Sequence, residues 1–161
     1  MESFEEIYEK YFRKIYAFLY RLTGSNSLSE ELTQQTLYNA FLHIDKFKGN
    51  SNVFTWLCSI AKNNWLAECN RQKRFQSSEE KEELASANNL EQVVIEKHML
   101  ELMRQEIKNL PEPYLSVFTL KIYAELSYLE IAEEFGKSES WARVTFFRGK
   151  SMLVERMEKY K

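Results

Sequence analysis

The chain has 161 residues, 44% hydrophobic and 14% aromatic, which is enough for packed cores and excludes wholesale disorder. Four glycines, two prolines and the lack of an alternating apolar pattern argue against a β-protein. No apolar run approaches the roughly 20 residues of a membrane span, and Glu2, Glu5 and Glu6 replace the basic start of a secretory leader, so a soluble, unexported all-α protein is expected.

Phe4, Ile7, Tyr8, Tyr11, Ile15, Phe18, Leu19 and Leu22 recur at the spacing of one helical face. Ser3 and Glu6 have capping-box spacing, and Gly24 is a natural terminator. Ser27 and Glu30 repeat the box and open a second predicted helix that buries Leu28, Leu32, Ala40, Phe41 and Ile44 and stops near Gly49. A polar loop over 48–52 precedes a third helix predicted over 54–71, with Phe54, Leu57, Ala61 and Trp65 on one face and Trp56 and Ile60 to the side. A tryptophan off the main stripe beside a polar loop is either a core aromatic or a platform on which bases stack. The helix ends in the basic run Arg71, Lys73 and Arg74. Cys58 and Cys69 lack the Cys-x-x-Cys spacing of a redox or zinc site and are expected as buried thiols in a reducing cytoplasm.

Residues 75–90 lose the periodicity and read as a solvated linker. Between 77 and 106 the acids Glu79, Glu80, Glu82, Glu83, Glu91, Glu96, Glu101 and Glu106 outnumber Lys81, Lys97 and Arg104. Apolar spacing resumes at Val93, Leu100, Ile107 and Leu110, and Pro111 with Pro113 introduces a helix carrying Leu115, Phe118 and Ile122. Ser127 and Glu130 form a further capping box, a short helix is predicted over 128–135, Gly136 supplies the turn, and Ser138 caps a final helix from 139 onward. Short helix, glycine turn and longer helix make the pattern of a helix-turn-helix.

On the final helix Ala142, Phe146, Gly149, Leu153 and Met157 fall on one stripe, the predicted core face. Ser140, Val144, Phe147, Arg148 and Ser151 lie opposite, with Arg143 and Trp141 on the flanks. Guanidinium donors, small hydroxyls and apolar groups together suit base edges and thymine methyls in a major groove. The net charge of −2 hides this end, where Lys137, Arg143, Arg148, Lys150, Arg156, Lys159 and Lys161 outnumber Glu139, Glu155 and Glu158.

The segments "SEELTQQTLYNAF", "FKGNSNVFTWLCSIAKNNWL" and "RQKR" resemble the promoter-melting region of extracytoplasmic-function sigma factors of bacterial RNA polymerase. The segment "LPEPYLSVFTLKIYAELSYLEIAEEFGKSESWARVTFFRGKSML" resembles their upstream-promoter-binding region. The resemblance implies two small helical domains, a region 2 bundle over 1–74 and a helix-turn-helix region 4 over 105–161, joined by a flexible acidic linker over 75–104. It implies a cytoplasmic transcription factor of the stress-response type that docks on core RNA polymerase, directs initiation at promoter DNA and does no covalent chemistry. It also implies an anti-sigma factor as partner, and neither cofactor, metal nor small-molecule substrate.

By the same resemblance Glu31, Gln34, Gln35, Asn39 and Asp45 meet a coiled coil of the polymerase largest subunit. Lys48, Asn50, Ser51, Thr55, Trp56, Lys62 and Asn63, with Arg71 and Arg74 of the basic end, hold the melted minus-10 strand. Ser140, Arg143, Val144, Phe147 and Arg148 read the minus-35 element. Trp141, Ala142 and Val144 depart from the small or hydroxylated residues common at their positions.

An extended segment of about 18 residues reaches at most about 60 Å, and B-DNA rises about 3.4 Å per base pair, so roughly seventeen base pairs can be bridged. The alternative reading is a helix-turn-helix repressor or activator outside the polymerase, but no helix stands out as a dimerisation element. His43 and His98 lie far apart without metal-ligand spacing, which argues against a metalloenzyme.

Overall fold

Residues 3–47, 49, 51–75 and 91–161 are described by a computed structural model of the chain. Glu2, Lys48, Asn50 and all of the expected linker 75–90 except Phe75 lie outside the described residues, as do the side chains of 91–93.

Helix α1, Phe4–Thr23, starts on the expected capping box: the Glu6 amide donates to the Ser3 hydroxyl at 3.2 Å, and the Ser3 amide donates to the Glu6 carboxylate at 3.0 Å. Gly24 ends it at a φ of 69°, where any side chain would be strained and its Cβ would sit 2.6 Å from the Arg104 guanidinium. Helix α2, Asn26–Leu42, is capped by Ser25 rather than Ser27. The chain turns back into helix directly after Gly24, so extended Ser25 takes the Leu28 amide at 3.2 Å and Ser27 falls inside the first turn. α2 also stops short of Gly49, giving way to a 3-10 turn over Ile44–Lys46. Phe41, expected in the core, is 52% exposed and lies against the Phe4 ring, with centroids 4.9 Å apart.

Helix α3, Val53–Phe75, outruns its predicted end. Its Leu57, Ala61 and Trp65 close the first core against Ile15, Phe18 and Leu19 of α1 and Leu32 and Leu37 of α2. The α2 hydroxyls buried there are satisfied locally: Thr33 and Thr36 donate to the carbonyls of Ser29 and Leu32 at 2.6 and 2.7 Å. Cys58 and Cys69 are buried free thiols as expected, and burial raises the pKa of both.

The second group comprises α4, Glu91–Lys108, α5, Tyr114–Ile122, α6, Tyr128–Phe135, and α7, Glu139–Met157, followed by a 3-10 turn over Glu158–Tyr160. α4 runs through position 104/105, where the sequence reading draws a domain boundary. Leu115 and Phe118 enter the core as expected, whereas Ile122, at the last position of α5, is 43% exposed. Phe118 stacks on Phe146 of α7 at 5.6 Å. All described regular elements are helical.

Glu106 fastens α4 to the end of the second group. Its buried carboxylate accepts from the Tyr160 hydroxyl at 2.7 Å and the Lys159 ammonium at 2.5 Å, with Arg156 at 3.9 Å. The hydrogen bonds from Lys159 and Tyr160 hold its carboxyl below the ordinary glutamate range. A depressed carboxyl contributes its stability fully above the unfolded value of about pH 4.3 and loses it as pH falls through the folded value. Glu106→Gln should therefore lower stability at neutral pH, with the gap to wild type closing in acid; urea unfolding over a pH series checks this.

Candidate nucleic-acid interface

The helix-turn-helix is built by short-range chemistry. The Glu130 amide donates to the Ser127 hydroxyl at 3.1 Å and the Ser127 amide to the Glu130 carboxylate at 2.9 Å, which starts α6. Gly136, at a φ of 64°, makes the left-handed turn out of α6. The Ser138 hydroxyl then accepts the Trp141 amide at 3.0 Å and starts α7.

Ala142, Phe146, Gly149 and Leu153 of α7 are buried and Met157 is half-buried, so the predicted stripe is the core face. Ser140, Arg143, Val144, Phe147 and Arg148 are all exposed. Val144 and Phe147 leave about half their surface in water, and with Arg143, Arg148 and Ser151 they line a shallow apolar depression. An apolar patch flanked by two guanidiniums suits a ligand that offers both methyl groups and anionic oxygens. Arg143 is held over the Tyr128 ring at 5.1 Å and pairs with Glu139 at 3.2 Å. Of the three departures from the common pattern, Ala142 is fully buried and Trp141 packs on Phe135 at 5.4 Å, leaving Val144 alone on the outer face.

A second set of residues gathers at the start of α3. Asn52, absent from the sequence-derived site, caps this helix by accepting the Thr55 amide at 2.8 Å. An asparagine three residues before Thr55 and ahead of an apolar run was a readable signal for that role. Trp56 is half-buried against Phe47, ring centroids 5.1 Å apart, and Asn63 is exposed. Arg71 and Arg74 are exposed at the far end, with Arg71 paired to Glu68 at 2.7 Å.

Within this set Ser51, Thr55 and Lys62 are shielded from solvent. Thr55 is fully buried, Lys62 is 7% exposed and Ser51 is half-buried, because α5 and α6 pack across them. The Lys62 ammonium donates to the Ser116 hydroxyl at 2.9 Å and lies 5.6 Å from the Phe135 ring centre. Burial lowers the Lys62 pKa, partly offset by the charges of Glu112 and Glu134.

On α2, Glu31, Gln34 and Gln35 are exposed, as is Asp45 in the following 3-10 turn. Asn39 is half-buried and donates to the Asn64 side-chain carbonyl at 3.2 Å. Tyr38, Phe41 and Leu42 add exposed apolar surface at the end of α2 that the sequence reading missed, having assigned Phe41 to the core.

Comparison with known proteins accounts for both groups. A family model described as Sigma-70 region 2 matches residues 7–75, and one described as Sigma-70, region 4 matches residues 100–153. The RNA polymerase sigma factor YlaC of Bacillus subtilis is 32% identical over 162 residues, covering 98% of this chain and 94% of that protein. The chain belongs to the sigma-70 family of RNA polymerase sigma factors.

Within the family it is a sigma factor of the extracytoplasmic-function subgroup. The ECF sigma factor SigW of Bacillus subtilis is 27% identical over 97% of this chain and 89% of that one. RpoE of Bartonella quintana, solved in complex with the anti-sigma factor NepR, shares the fold at a TM-score of 0.58, with 21% identity and 96% of each chain covered. Like its relatives, this sigma factor directs promoter-specific transcription initiation by RNA polymerase. Region 2 corresponds to α1–α3, and the region 4 match starts within α4 and ends within α7.

The α7 face of the sigma factor depends on a close helix crossing, since a Cβ on Gly149 would lie 3.3 Å from the Tyr114 Cβ. Gly149→Val places branched carbons where even one is tight and should cost about 1–3 kcal/mol; thermal unfolding of the two proteins checks it.

Proposed function

We propose that this sigma factor reads a two-part promoter with two separate faces. The outer face of α7 takes the minus-35 element in the major groove: Arg143 and Arg148 donate to guanine edges or phosphates, and Val144 and Phe147 meet thymine methyls. The loop 48–52 with Thr55, Trp56, Lys62 and Asn63 takes the melted minus-10 strand, and Arg71 and Arg74 take its backbone. Unstacked bases are held by aromatic stacking and amide hydrogen bonds, a stacked base being worth about 1–3 kcal/mol. Glu31, Gln34, Gln35, Asn39 and Asp45 dock on core polymerase, and the exposed Tyr38, Phe41 and Leu42 extend that surface with apolar area.

The protein performs no covalent chemistry itself; the polymerase does. It acts in the cytoplasm, in keeping with the lack, among the described residues, of a helix long and apolar enough to cross a membrane. Residues 1–74 and 105–161 form the two working regions and 75–104 connects them. An anti-sigma factor, the kind of partner that holds RpoE in the Bartonella complex, restrains it.

The observation that carries this reading is the two-sidedness of α7: one stripe buried, the opposite one apolar, basic and exposed. The test is run-off transcription with purified bacterial core polymerase on fragmented genomic DNA from the source organism. Discrete new transcripts sharing a two-part upstream sequence are expected, whereas salt-sensitive duplex binding without transcripts would favour a repressor. Arg148→Ala should weaken binding to such a promoter by about 1–3 kcal/mol while leaving affinity for core polymerase unchanged. Equal loss of both would remove Arg148 from the minus-35 face.

A further inference from the structure

Where the end of α3 runs beside α4, a cavity of about 360 Å³ lies between them. Trp65, Cys69 and Gln72 line it from one face of α3, and Glu101, Gln105 and Lys108 line it from one face of α4. Both sets have the four-then-three spacing that aligns side chains along a helix. Two bonds tie the walls together: the Lys73 ammonium donates to the Asn109 side-chain carbonyl at 3.3 Å, and the Arg104 guanidinium donates to the Arg21 carbonyl at 3.2 Å. The volume falls at the lower end of the roughly 300–1,000 Å³ that small-molecule sites span.

The charges lining this cavity are not balanced. Glu68 is paired with Arg71 at 2.7 Å and accepts from the Gln72 amide at 3.3 Å, and Glu101 is paired with Arg104 at 3.4 Å. Each carboxylate is thus answered by a guanidinium. Lys73 meets the neutral Asn109 side chain, and the half-buried Lys108 has neither an ion pair nor a hydrogen bond among the described residues. Half-buried Gln105 likewise has no side-chain hydrogen-bond partner there. Both ammoniums bear on one spot, since their charges act on the buried Cys69 thiol and work against the rise in pKa that burial causes.

Two cations that converge on a recess, with no carboxylate left to neutralise them, favour an anionic ligand. A carboxylate would answer one of them. A phosphomonoester carries about −1.5 to −2 charge at neutral pH and three acceptor oxygens, which suits both. The side-chain amides of Gln72 and Gln105 can donate to and accept from hydroxyl groups, so the rest of the ligand is polar. A polynucleotide presents its phosphates on a rod far wider than this recess, whereas a free phosphomonoester fits inside it.

We propose that the cavity between α3 and α4 is a binding site for a small sugar phosphate, with Lys73 and Lys108 on the phosphate and Gln72 and Gln105 on the sugar hydroxyls. One ligand would then touch both regions, since Lys73 falls in the region 2 match and Lys108 in the region 4 match. The site lies apart from the promoter-reading faces, and the inference does not depend on their assignment.

The test is a titration of the nitrogen-labelled full chain, followed in amide correlation spectra, with ribose 5-phosphate, with inorganic phosphate and with sodium chloride at matched ionic strength. Saturable shifts of the Gln72, Gln105 and Asn109 side-chain amides are expected with ribose 5-phosphate, at an affinity at least about tenfold above that for inorganic phosphate. Lys108→Gln should weaken ribose 5-phosphate at least about tenfold, the loss of one charge-assisted contact. Lys97→Gln, an equal change of charge at an exposed position of α4 outside the cavity, should leave binding unchanged. Lys73→Gln provides a second variant, and an undisturbed spectrum of either variant without ligand shows that the fold is kept. Equal affinity for inorganic phosphate and ribose 5-phosphate would overturn the sugar-phosphate site and leave an anion site only. Shifts that follow ionic strength without saturating, saturable shifts confined to α7, or undiminished binding by both variants would remove the site altogether.

Discussion

The structure turns on α3 being packed along two of its sides. Its Leu57, Ala61 and Trp65 close the first core with α1 and α2, and Thr55 and Lys62 are covered by α5 and α6. A helix buried on two sides has little surface left, and what α3 leaves exposed is Asn63, Ala67, Asn70, Arg71 and the end from Lys73 onward, with Trp56 half-buried at an edge. The position of region 4 against region 2, the burial of Thr55 and the desolvation of Lys62 all follow from that arrangement. Lys62 is the sensitive member: a lysine ammonium under apolar cover is tolerable only while Ser116 accepts its hydrogen bond and the Glu112 and Glu134 charges remain near.

The outer surface of α7 and the start of α3 differ in how they are made. The α7 face is intrinsic to region 4, since a capped helix with one stripe on Leu115 and Phe118 must present its other side to solvent. The start of α3, by contrast, owes its cover to another part of the chain, since α5 and α6 pack over Thr55 and Lys62. Charge follows the same division. The carboxylates of α6 point to donors on α3, while the basic residues of α7 stand free of that junction.

Much of this was legible in the sequence because it is local. Capping boxes at Ser3 and Ser127, left-handed glycines at 24 and 136 and the core stripe of α7 are short-range signals, and they read correctly. The Ser25 cap was missed because two serines compete within three residues, and the outcome depends on how tightly the chain turns after Gly24. Phe41 was misassigned because it fits the periodicity of α2 but lies beyond the core, against Phe4 at the rim. The burial of Thr55 and Lys62 was out of reach in principle, since their partners sit tens of residues away in another region and leave no periodic trace. The α7 outer face, by contrast, emerged with every assigned residue exposed.

The two thiols have a consequence for how this chain can be signalled to. Only the thiolate reacts readily with peroxide or forms mixed disulfides, and burial keeps Cys58 and Cys69 protonated. Cys58 also faces the negative field of Glu130 and Glu134, which opposes ionisation further. Thiol-based oxidation would therefore pass over Cys58 and Cys69, and a signal carried by thiol chemistry would have to be sensed by another molecule and delivered as a change in binding.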